Sequence, residues 1–141
     1  MKRMSAPAPI HYEGTFCELR LDAPAPGVVL LAISGHYTGE FGSLPMTQLE
    51  ARFAGHDGIE LYIDARRTKA ASTEVSGGWA VWLGAHRSHF KHISMLTGSR
   101  FIEITAGFVR SFSALEDIMR LYTDAEAFDQ AVADSVAAAS R

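Results

Sequence analysis

The sequence predicts an α/β fold: a mixed, mostly parallel sheet of four to five strands covered by helices, in the order β-β-α-β-α-β-α-β-α. Two runs, Val28–Ile33 and Ile59–Asp64, are apolar and rich in branched residues, as strands buried on both faces must be. Helical stripes alternate with these and with later short strands, the pattern of parallel strands joined by crossover helices. The 141 residues make one domain of ordinary size.

Residues 1–12 read as a flexible tail, being small, Pro-containing and slightly basic, and residues 13–141 as one domain. Thr15, Cys17, Leu19 and Leu21 alternate with Phe16, Glu18 and Arg20, which predicts a half-buried first strand at the antiparallel edge of the sheet. Asp22–Gly27 holds two prolines and reads as a turn before Val28–Ile33. Gly35–Gly42 reads as a loop. The next helix is expected over Ser43–Ala54, with Ser43 as cap, Pro45 in the first turn, and Met46, Leu49 and Phe53 buried. In the second central strand, Ile59–Asp64, Ile59, Leu61 and Ile63 share a face opposite Tyr62.

Arg66–Ala71 reads as a polar loop. Ser72 or Thr73 then caps a helix reaching to about His89, with Val75, Trp79, Trp82, Leu83 and His86 on one face. Gly77 and Gly78 inside it predict close packing or a weak first turn. His92–Leu96 is a short strand. Phe101–Thr105 alternates like a strand, but Phe101, Ile104, Phe108, Phe112 and Leu115 keep a helical stripe, and length favours the helix. Ile118–Tyr122 is the last strand. Thr123 and Glu126 form a capping box for a final helix lined by Phe128, Ala131, Val132 and Val136.

Composition narrows the function classes. A net charge of −3 offers no global field for nucleic acid. The longest apolar run, Gly27–Ile33, is far short of the ~20 residues of a membrane-spanning helix. A single cysteine, Cys17, excludes an internal disulfide and points to a reducing, cytoplasmic setting.

Four segments, Gly27–His36, Gly58–Arg67, Trp79–Thr97 and Ile118–Val132, resemble in order and spacing the STAS fold of sulphate transporters and anti-sigma-factor antagonists, and within it the SpoIIAA-like branch. The resemblance implies a bacterial, non-catalytic signalling module that works by protein contacts. It also implies a phosphorylated serine at the start of the helix after the third strand. The matching residue is Ser72, with Thr73 beside it, and the usual Asp-Ser pair is Ala71-Ser72 here.

The residues themselves leave alternatives. Ser72 and Thr73, with Arg66, Arg67 and Lys69 upstream, form either a phospho-acceptor and anion seat or a plain N-cap beside solvated cations. Glu74 opposes a phosphate there. Trp79, Trp82, His86 and Phe108 either line a pocket for a small apolar ligand or lipid, making the protein a carrier, or are core. His86, His89 and His92 have partial metal-ligand spacing, but His92 falls beyond the helix, so no metal is expected; neither is any other cofactor. No residues combine a nucleophile, an oriented base and an oxyanion hole, so no enzyme is expected. The protein partner is unspecified, and a homodimer is left open.

Overall fold

A computed structural model describes residues 9–140. Six strands form one sheet in chain order: β1 (Ile10–Glu13), β2 (Cys17–Ala25), β3 (Val28–Tyr37), β4 (Ile59–Ala71), β5 (Phe90–Thr97) and β6 (Met119–Tyr122). The β1–β2 and β2–β3 pairs are antiparallel, and the remaining pairs are parallel. The α/β class and mixed sheet stand as expected, with more strands than the four to five expected. The extra strand is β1, which puts residues 10–12 in the sheet rather than in a tail. It pairs Ile10 with Leu21 and Tyr12 with Leu19, which moves β2 from the edge to the interior. Residues 1–8 of the expected tail lie outside the described residues.

The helices are α1 (Leu44–Glu50), α2 (Thr73–Ala85), α3 (Arg100–Phe112) and α4 (Ala125–Ala139), with a 3₁₀ turn at Arg87–His89. Alternation along each strand builds two cores. Leu19, Leu21, Leu31, Leu61 and Ile63 point to one face, where Leu49 of α1, Trp79 and Leu83 of α2 and Val109 of α3 meet them. Val28, Tyr62 and Leu96 point to the other, covered by Phe128 of α4. None of the described helices is long and apolar enough to cross a membrane.

One expected loop is strand, and another is strand in its first three residues. β3 continues to Tyr37, and β4 runs through the presumed Arg66–Ala71 loop in register with it, pairing His36 with Ala70 and Tyr37 with Ala71. Thr68, buried between exposed Arg67 and Lys69, donates to the Ile33 carbonyl at 2.9 Å. In sequence, cations on one side of a strand look like a solvated loop. Gly35 enables the bend in β3: its φ is +88°, and a Cβ there would lie 2.2 Å from the Phe16 carbonyl oxygen.

The helix ends also shift. α1 closes at Glu50, and the helix expected to reach His89 ends at Ala85. α4 is capped by Asp124, which accepts from the Glu126 N–H at 3.0 Å, and not by Thr123. Gly77 and Gly78 border open space, so close packing does not explain them.

Candidate functional site

Ser72 stands where β4 hands over to α2. Its N–H donates to the Tyr37 carbonyl at 3.0 Å, tying the helix start to the end of β3. Its Oγ accepts the Val75 N–H at 3.1 Å, so Ser72 is the N-cap, while exposed Thr73 is the first helical residue. Beneath this end, Trp79 Nε1 donates to Tyr37 Oη at 3.0 Å, and burial pushes the Tyr37 phenol above its ordinary range.

The expected cationic surround of Ser72 does not form. Arg66 and Arg67 project from the α4 face of the sheet, whereas α2 lies across it. Arg66 Nε donates to Asp64 at 3.0 Å, and its guanidinium also binds Asp129 of α4. Asp129 and then Asp64 hold its pKa above the ordinary guanidinium value. Arg67 is exposed five residues before Ser72, roughly 16 Å away along an extended strand. Lys69 is exposed between buried Thr68 and half-buried Ala70.

The expected aromatic pocket is also redistributed. Between α2, α3 and the sheet lies an apolar cavity of about 70 Å³, lined by Tyr37, Thr68, Trp79, Met95 and Val109 among others. It is well below the roughly 150 Å³ that admits benzene. Of the four candidates only Trp79 lines it. Trp82 stacks on His86 at 4.6 Å and donates to Glu50 at 2.8 Å. Phe108 lies on the outer surface, 54% exposed.

Phe108 belongs to a larger correction. The stripe Phe101, Ile104, Phe108 and Phe112 faces outward, each more than half exposed, while Ile102, Ala106 and Val109 face the sheet. Small groups on the inner side let α3 approach α2 closely: Ser113 Oγ donates to the Ala80 carbonyl at 2.6 Å, and a Cβ on Gly84 would touch Ser113. Val81 of α2 is likewise 63% exposed. Sequence periodicity registered the row and misjudged the side on which it lies.

The histidines do not converge. His89 stacks on Phe53 at 4.4 Å and His86 on Trp82, while His92 lies under α4, with Nε2 2.8 Å from Glu60 Oε1. A group not considered from sequence is His11, Glu13 and Glu18, whose ligand-type atoms lie within 4.8 Å of one another on the open face of β1 and β2. There His11 pairs with Glu18.

No protein-family model and no curated protein matches the sequence. Solved structures do match. A DUF3478-family protein with a SpoIIAA-like fold from Shewanella loihica PV-4 aligns with a TM-score of 0.60 at 15% identity, over 92% of this chain and 99% of that one. The fold is SpoIIAA-like. The anti-sigma factor antagonist SpoIIAA, in its unphosphorylated form, aligns with a TM-score of 0.52 at 16% identity, over 80% of this chain and 95% of that one.

Proposed function

We propose that this SpoIIAA-like domain is a non-catalytic bacterial regulatory module, acting in the cytoplasm through protein contacts made by the outer surface of α2 and α3. The observation that carries this reading is the exposed row Phe101, Ile104, Phe108 and Phe112. Contiguous large apolar side chains on a soluble surface mark an interaction site, because each gains free energy when a partner removes it from water. Ser72, as cap of α2, is the phospho-acceptor. A phosphate there adds about −1.5 to −2 charges next to free helix N–H groups and so changes what docks beside it.

The test is comparative capture. Wild type, Phe108→Glu and Ser72→Asp are used as bait, and captured partners are cross-linked and mapped by mass spectrometry. The expected result is a partner cross-linked to α2 or α3, lost with Phe108→Glu and altered with Ser72→Asp, in proteins that melt alike. Equal capture by all three, with no phosphopeptide spanning residues 70–75, would overturn the reading.

A further inference from the structure

The α4 face of the sheet, opposite the face on which α2 and α3 pack, carries a second feature. α4 covers this face around Ala25, Val28, Tyr62 and Leu96 and leaves it open around Arg20, Ala32, Ser34 and Arg67. There the register sets two rows side by side: Arg20, Ala32 and Asp64 in one, Glu18, Ser34 and Arg67 in the next. The middle strand contributes only the small side chains of Ala32 and Ser34. The result is a trough of about 460 Å³ with β3 as floor and charged walls on β2 and β4.

A β-bulge equips one wall. Between Ala32 and Ser34 of β3, β4 advances from Asp64 to Arg67. The extra residue lets Ala65 and Thr68 stay buried while Arg66 and Arg67, neighbours in sequence, both reach this face. Bulges re-aim side chains in this way beside functional sites. Arg66 is anchored by Asp64 and Asp129, and Glu18 is paired with His11. The side chains of Arg20, Arg67 and Lys69 have no hydrogen bond or ion pair among the described residues.

The trough continues past Arg67 and Lys69 to Gly98 and Ser99, at the N-terminus of α3. A Cβ on Gly98 would lie 2.2 Å from the Arg66 carbonyl oxygen, so the helix start is held directly against this part of β4. Ser99 caps α3 by accepting the Ile102 N–H at 3.2 Å, and the helix aims the positive end of its dipole the same way. This is the carboxyl end of the parallel strands, where open α/β sheets bind ligands. Three unpaired cations thus gather here in a chain whose net charge is −3.

We propose that this trough binds a phosphate group, with Arg20 and Arg67 gripping it from opposite walls, Ser34 on the floor and Lys69 extending the site toward α3. Strand spacing puts the Cα atoms of Arg20 and Arg67 about 12 Å apart, a gap that two extended guanidinium side chains close around one phosphate or diphosphate.

The test uses inorganic pyrophosphate, followed by calorimetry and by amide shifts in ¹H–¹⁵N spectra. Saturable binding is expected, with shifts centred on Ser34, Gly35, Arg67 and Ser99. Arg20→Gln and Arg67→Gln should each weaken it at least tenfold. Lys91→Gln removes the same charge at the opposite end of β5 and should leave affinity unchanged. Co-sedimentation with phosphatidylglycerol–phosphatidylcholine vesicles separates the two sources of a phosphate. Arg67-dependent retention assigns it to a lipid headgroup, and pyrophosphate binding without retention assigns it to a soluble molecule. Absence of saturable binding in both arms, or equal weakening by Lys91→Gln, would overturn the proposal, the second outcome meaning an adventitious ion only.

Discussion

Cys17 shows how far placement alone changes a side chain. It faces the core from β2, 4% exposed, and burial, with the carboxylate of Glu40 nearby, pushes its thiol up to about 11. The folded chain therefore keeps this proton at a pH where the unfolded chain, with a pKa near 9, gives it up. Above pH 9 the unfolded state binds fewer protons than the native state, so stability falls as pH rises toward 11. Burial raises Tyr37 and Tyr62 as well, and both act in the same direction at somewhat higher pH. Urea midpoints should decline from pH 9 upward, and Cys17→Ala should decline less steeply. Identical slopes for the two proteins would remove Cys17 from the account. Ser72 is the second informative residue. Removing a capping oxygen costs about 1 kcal/mol, so Ser72→Ala should lower Tm by about 3–5 °C, whereas Thr73→Ala, which caps nothing, should leave it nearly unchanged.

At the scale of the element, α3 is the most instructive. Its outer row contributes little to the packed core, so Phe108→Ser should change stability by no more than about 0.5 kcal/mol in a denaturant titration. Val109→Ala, next in sequence but 7% exposed against the sheet, should cost about 1–2 kcal/mol. Equal losses at the two positions would mean that the helix is turned the other way. The same helix shows what the sequence could and could not convey. Its period and length marked a helix, and the apolar runs Val28–Ile33 of β3 and Ile59–Asp64 of β4 were equally legible, because each is specified by local pattern, while the α2 cap was narrowed only to Ser72 or Thr73. The direction in which α3 faces was not. It carries two rows, one of large residues and one of Ile102, Ala106 and Val109, and hydrophobicity favours the large row for the core. The space left between α2 and the sheet accepts the small one. The trough was hidden for a related reason. Arg20 and Arg67 are 47 residues apart in sequence and meet only through register, and the bulge that turns Arg67 onto this face leaves no mark in composition.

For the molecule as a whole, the sheet is one layer shared by two cores, and among the described residues α4 closes the second. Phe128, 1% exposed, packs edge-on against both Tyr62 and Tyr122. Around it α4 is bound by Asp129 to Arg66 and by Ser135, which is hydrogen-bonded to Tyr62 and donates to Glu60 at 3.0 Å. Glu60 in turn meets His92 of β5. Because β4 gives Leu61 and Ile63 to one core and Tyr62 to the other, neither core can dissolve while the other keeps its strand intact. The chain should therefore unfold in one transition. Phe128→Ala removes most of the apolar group that seats α4 and should cost about 3–5 kcal/mol, a large part of the 5–15 kcal/mol typical of a domain. Its Tm should fall by roughly 10–20 °C while the melt stays single, with far-UV and near-UV circular dichroism moving together. Separate loss of α4, seen as a low-temperature step in the near-UV signal of the tyrosines ahead of the far-UV melt, would show that the second core is an independent layer. In that case α4 would be free to lift from the sheet without unfolding it, and the Arg66–Asp129 pair beside the trough would open with it.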